Sequence, residues 1–176
     1  MKSKNVKDLE AAMYEWKRIK YPNTPAHAIP KPTYSDADAN GLTRCIVDFV
    51  NLQPHCYAWR SSNAPTFDHA TGQHRAGNVT KGVSDIAAIR AGRAWMIEVK
   101  HGKDRVSEHQ REFAARVDAA GGVYCVARTF DGFVAEWGRA LGNDAPGDQL
   151  AMMFEQLGAT VVTVPHHADK SPSNAI

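Results

Sequence analysis

The sequence predicts an α/β fold: a mixed sheet flanked by helices, preceded by a helical arm and followed by an αβ extension. Residues 86–89 and 94–99 are short apolar runs joined by Arg90-Ala-Gly92-Arg93, whose glycine suits a hairpin turn. Leu42, Cys45, Ile46, Phe49 and Val50 recur at helical spacing before this hairpin, and Gln110, Phe113, Ala114 and Val117 do so after it. At 176 residues, 43% hydrophobic and 23% charged, the chain can bury one good core, and its mixed charges argue against wholesale disorder. The reading divides it into 1–34, a helix and Pro-rich tether; 35–141, the core; and 142–176, the αβ extension and tail.

Val6, Leu9, Met13, Trp16 and Ile19 give an amphipathic helix over about residues 5–20. Four prolines in 21–32 then remove amide donors and force an extended tether. The helix is read as an arm packed against the core; a lid, a clamp or a dimer contact is the alternative. Ser35-Asp36-Ala37-Asp38 signals the start of the first core helix. Cys56-Tyr-Ala-Trp-Arg60 has strand composition and runs into polar Ser61-Ser-Asn63, so Arg60 and Asn63 should emerge at the same sheet edge as Asp85. Residues 64–81 read as a long polar loop, and the spacing of His69, His74 and Arg75 within it fits no dedicated metal site.

Beyond the hairpin, Ser107 and Gln110 form a capping box, Gly121-Gly122 ends the helix, and 123–127 returns as a strand. Phe130-Asp131-Gly-Phe133 begins another helix through Val134 and Trp137, and Asn143-Asp-Ala-Pro-Gly147 breaks the chain. Leu150, Met153, Phe154 and Leu157 then make a helical stripe. The β-branched run 160–164 could add an edge strand before a frayed tail containing His166-His167.

The chemistry concentrates in the hairpin. A period of two places Met96, Glu98 and Lys100 on one face of the second strand. Charges in such a setting are costly unless paired or metal-bound, and Asp85 on the neighbouring strand is the natural third member. Two carboxylates and a lysine suit a divalent-metal site for phosphodiester hydrolysis. A Glu-x-Lys triplet alone means little, since composition makes it occur on the order of once in such a chain. Glu15-Trp-Lys17 is a second copy, set in a helical pattern without an aspartate hairpin partner.

Asp85 followed by Glu98-Val-Lys100 resembles the signature of the PD-(D/E)XK nuclease superfamily, with Ser84 where the name has proline. The finer resemblance is to its VRR-NUC group, of phage and bacterial type. It is carried by Gly82-Val-Ser-Asp-Ile, Ser107-Glu-His-Gln110 and Gly121-Gly-Val-Tyr124-Cys-Val-Ala-Arg128, and it covers about residues 35–133. The resemblance implies a restriction-endonuclease-like fold in which Asp85, Glu98 and the backbone carbonyl of Val99 hold Mg²⁺ or Mn²⁺. Lys100 would touch the attacking water, and Gln110 would either serve only as a cap or also point at the site. Arg60, Asn63, Ser84 and Lys103 are the substrate-binding candidates, while Tyr124 either packs or reaches a phosphate. Relatives of this fold often add a helix glutamate, but Asn40 occupies that face here. Asp36 and Asp38 have a competing use as charges in the first helical turn.

The implied function is a metal-dependent endonuclease acting on nicked, branched or otherwise structured DNA. A junction resolvase would share the site and require a homodimer so that two sites cut symmetric strands. The rival of another class is a DNA-binding module that kept the hairpin and lost hydrolysis. Net charge of +2 is too small to imply a nucleic-acid partner, so affinity must come from local clusters such as Lys100-His-Gly-Lys103-Asp-Arg105. Cys45, Cys56 and Cys125 lie in apolar runs and suit reduced core thiols. With no membrane-length apolar run and no apolar signal segment, a cytoplasmic location is expected.

Overall fold

The computed structural model describes residues 2–61, 66–68, 70–75 and 80–140 of the 176. They form α1 (Lys4–Lys20), a short 3-10 turn (Ala26–Ala28), α2 (Ala39–Asn51), β1 (Cys56–Arg60), β2 (Thr66–Asp68), β3 (Gln73–Arg75), β4 (Ile86–Arg90), β5 (Arg93–Val99), α3 (Glu108–Ala119), β6 (Val123–Ala127) and α4 (Phe130–Arg139). The main sheet has the order β1-β4-β5-β6, antiparallel at its first two junctions and parallel between β5 and β6. This is the mixed α/β architecture expected from the sequence. Among the described residues no helix is long and apolar enough to cross a membrane.

One stretch read as loop is partly strand. β2 and β3 pair as a small separate hairpin around Gly72, whose φ is 65°. Strands of three residues are too short to show alternation against a polar background. His74 and Arg75 fall on β3, whereas Asn63, His69 and the whole 142–176 extension lie outside the described residues.

Asp38, rather than Ser35, caps α2: its side chain accepts from Gly41 N at 2.8 Å. The stripe Leu42, Cys45, Ile46, Phe49 and Val50 is fully buried against the sheet, and Phe130, Phe133, Val134 and Trp137 of α4 complete that layer. Phe49 meets Phe130 and Phe133 edge-on at 5.6 and 6.1 Å between ring centres. α1 contributes Val6, Leu9 and Ala12 to the same core, so it packs as part of the domain. Ser3 Oγ and Asn5 Nδ2 tie its start to Asp131 Oδ1 of α4, each at 2.8 Å. Burial pushes the Cys45 and Cys125 thiols up to about 12, leaving them protonated and inert.

The register sorts the sheet into two faces. Ala58, Ala88 and Trp95 share the core face with Ile86, Ile97 and Cys125, beneath α1, α2 and α4. The opposite face carries the rows Trp59-Ala87-Met96-Tyr124 and Tyr57-Ile89-Ala94, with Glu98 beyond Met96 on β5. α3 covers only the β6 side of this face, where Phe113 meets Tyr124 at 6.3 Å. The β4–β5 turn is a two-residue loop with both central residues at positive φ, Ala91 at 45° and Gly92 at 82°. That geometry matches the right-handed twist of the strands it joins.

Candidate active site

Antiparallel pairing of Ile86 with Ile97 places Asp85 one step further along, opposite Glu98. The Asp85 carboxylate is fixed from below, where Val99 N donates to Oδ2 at 2.9 Å, and its carbonyl accepts from Ser61 N at 2.8 Å. Glu98 is 2% exposed. Its Oε1 accepts from Lys100 Nζ at 2.9 Å and from Gln110 Nε2 at 2.5 Å, while buried Oε2 has no hydrogen-bond partner among the described residues. Burial raises the Glu98 carboxyl above its ordinary range; the Asp85 charge adds to the rise, and Lys100 and Gln110 oppose it. The Lys100 side chain is itself only 13% exposed, so the pair is a desolvated one rather than a surface ion pair.

Gln110 closes the cap and also contacts Glu98. Its Oε1 accepts from Ser107 N at 2.9 Å and closes the capping box of α3, while its Nε2 reaches Glu98. One amide therefore anchors the helix start and locks the acidic side chain. Gly82 brings the two segments together: at φ 77° its backbone runs so close to α3 that a Cβ there would lie 2.2 Å from His109 O. Tyr124, on β6 next to β5, has a buried hydroxyl without a hydrogen-bond partner among the described residues. Its pKa is raised first by burial and then by the Glu98 and Asp85 charges, which places it in the field of both carboxylates.

A cleft of about 260 Å³ opens between the start of α2, with Asn40 and Thr43, and the strand ends carrying Arg60, Ser61, Asp85 and Val99. Arg60 thus reaches the mouth of the site, held by Asn40, whose carbonyl and Oδ1 accept from Nη2 at 3.3 and 3.1 Å. Lys103 is exposed in the turn after β5. Ser84, expected at the substrate, is instead fully buried, and its hydroxyl donates to Ile86 O at 3.0 Å. In this position its hydroxyl faces the core side of the sheet and bonds the start of β4.

The two helix acids are also engaged elsewhere. Asp38 caps α2, and Asp36 Oδ2 accepts from Phe130 N at 3.1 Å at the start of α4. Sequence reasoning passed over Thr43, which lines the cleft and donates to Ala39 O at 2.7 Å. Its signal was a hydroxyl between Leu42 and Cys45 in an apolar stripe.

The donor chemistry fits a hard divalent cation. Asp85 offers a carboxylate at the cleft, Val99 lines the same cleft, and the unpartnered Oε2 of Glu98 is a buried anionic oxygen that a cation would satisfy. The described residues contain no group of three or more His, Cys, Asp or Glu side chains able to hold a metal. An ion bound here would complete its shell with backbone oxygen, water and substrate, as Mg²⁺ commonly does. Compared with models of known protein families and with curated proteins, the chain matches none.

Proposed function

We propose that this chain is a divalent-metal-dependent nuclease of restriction-endonuclease-like fold that hydrolyses DNA phosphodiester bonds, acting as an endonuclease on nicked, branched or otherwise structured DNA. The observation that carries the reading is Glu98: a nearly buried carboxylate opposite Asp85, with one oxygen held by Lys100 and Gln110 and the other unpartnered. A purely structural pair would gain from satisfying both oxygens, whereas a site awaiting a cation keeps one free.

Asp85, Glu98 and the Val99 carbonyl would hold Mg²⁺ or Mn²⁺, which when bound supplies Lewis acidity toward a phosphate oxygen and lowers the pKa of water. The chain's own groups do the positioning. Val99 N holds Asp85 in one rotamer, and Gln110 holds Glu98. Lys100 Nζ, fixed on Glu98 Oε1, orients the attacking water by hydrogen bonding and sets a positive charge beside the phosphoryl group as negative charge builds there. Arg60, at the cleft mouth, suits a neighbouring phosphate.

A second reading, a DNA-binding module without hydrolysis, is favoured by one observation: the helix position facing the cleft is Asn40, and Asp36 and Asp38 are spent on helix starts. Nicking of supercoiled plasmid by the purified full chain separates the two. Nicks that appear with Mg²⁺ or Mn²⁺ and vanish with chelator support the nuclease; binding without cutting under every divalent ion supports the module.

A further inference from the structure

We infer that Tyr57 and Trp59 form a stacking platform for unpaired nucleobases, so that the strand delivered to the site is single-stranded where it approaches the cleft. The inference rests on the nuclease reading for the site beside it, and it names the substrate feature which that reading leaves open.

Tyr57 is 63% and Trp59 41% exposed, with Ile89 at 44% beside them, on a face that α3 leaves uncovered. A folded chain gains by covering such rings, so two adjacent exposed aromatics on one strand mark a contact surface. Their ring centres lie 5.7 Å apart with planes 32° from parallel, which forms a shallow, continuous aromatic surface. The register puts this surface on the face that carries Glu98 and Lys100: Trp59 is opposite Ala87, two residues from Asp85 on the adjoining strand. Strand spacing and rise place the Cα atoms of Trp59 and Asp85 about 8 Å apart. One nucleotide can bridge that gap, stacking its base on Trp59 while its phosphate approaches Asp85 at the edge of the cleft.

The backbone beneath the rings blocks edge-to-edge pairing at the centre of the strand. β1 is an edge strand, and edges recruit other chains through unpaired amides and carbonyls. Here Asn51 of α2 occupies both such groups at the strand centre, its Oδ1 accepting from Ala58 N at 2.8 Å and its Nδ2 donating to Ala58 O at 3.0 Å. A second copy of this chain therefore cannot extend the sheet across Ala58, and recognition falls to the aromatic faces. Base-on-aromatic stacking needs π-faces, which Tyr57 and Trp59 present side by side and every nucleobase can meet. A blunt duplex keeps its bases stacked internally and offers the rings none.

The test uses the full chain without divalent metal, a single-stranded DNA carrying 2-aminopurine, and a blunt duplex of the same sequence. Binding should quench the 2-aminopurine through stacking, with the single strand held about tenfold or more tighter than the duplex. Changing both Tyr57→Leu and Trp59→Leu should weaken single-strand binding by more than tenfold while circular dichroism and duplex affinity stay unchanged, and Trp59→Phe alone should retain most of the affinity. Equal affinity for single strand and duplex, or an unaltered single-strand affinity in the double variant, overturns the platform. So does a dimer in sedimentation that the double variant dissolves while DNA binding is unaffected, since the face would then be a self-association surface. A wild type that quenches 2-aminopurine yet cuts nothing with Mg²⁺ or Mn²⁺ leaves the platform standing and removes hydrolysis. Metal-dependent cutting at equal rates on both substrates, unchanged in the double variant, does the reverse.

Discussion

Replacing Gln110 by Glu separates helix capping from support of the acidic site, because the two interactions use different atoms of one side chain. A glutamate keeps an oxygen acceptor for Ser107 N, and Ser-x-x-Glu is itself a favoured capping box. It removes the donor to Glu98 Oε1 and sets a second carboxylate against it. A hydrogen bond to a charged group contributes about 1.5–3 kcal/mol, and the added repulsion at this partly exposed position is taken at its watery limit, about 1 kcal/mol. Metal-free Gln110→Glu should therefore be less stable by about 2–4 kcal/mol at neutral pH, and at about 2–4 °C per kcal/mol its Tm should fall by about 5–15 °C. The Glu98 carboxyl is already raised by burial, and a second carboxylate raises it further. A carboxyl raised on folding adds stability below its unfolded value that is lost as pH rises through the folded one, so the deficit should be largest near pH 8 and shrink toward pH 5. Mg²⁺ should also narrow it. Thermal unfolding across pH, with and without Mg²⁺, reads all three effects; a variant as stable as wild type at pH 8 would make Gln110 a helix cap and nothing more.

Two further substitutions probe other parts of the account. Asp85→Asn retains an acceptor for Val99 N and removes a charge that raises Glu98, so the metal-free Tm should stay level or rise by a few degrees while cleavage is lost. A clear drop in metal-free Tm would instead mark Asp85 as a structural partner. Ala91→Asn, at φ 45° before Gly92, supplies the residue that a two-residue primed turn prefers and should stabilise the chain by about 0.5–1 kcal/mol, measured by urea unfolding. A destabilised variant would contradict the turn geometry.

The parts of the fold that were legible in the sequence are those written in local periodicity. The β4–β5 hairpin followed from alternation around Gly92, and α2 and α4 from apolar stripes that the structure buries completely. The start of α2 was read early because Ser35, Asp36 and Asp38 all suit a helix start; only tertiary structure shows that Asp36 serves α4, 94 residues away. Ser84 sits between Val83 and Asp85 with no local pattern to choose its face, and strand register turned it inward. Glu98 and Lys100 were legible as charges on one strand face and Gln110 as a cap with a second reading toward the site, but that its amide pins one Glu98 oxygen was not. The exposure of Tyr57 and Trp59 was hidden for a related reason: an aromatic strand reads as buried until the sheet order makes it an edge.

Hydrolysis by the Asp85–Glu98–Lys100 constellation is tested most directly by single-turnover cleavage with Lys100→Ala, measured beside DNA affinity. In the proposed nuclease Lys100 would act on water and on charge that develops in the transition state, so its removal should abolish most turnover with Mg²⁺ or Mn²⁺. Affinity should stay within about tenfold, or about 1.4 kcal/mol, because one phosphate contact among several contributes modestly. Cleavage by Lys100→Ala at the wild-type rate, or a wild type that cuts no single-stranded, duplex, flap or four-way DNA with either ion, would contradict the assignment and leave the hairpin a binding element.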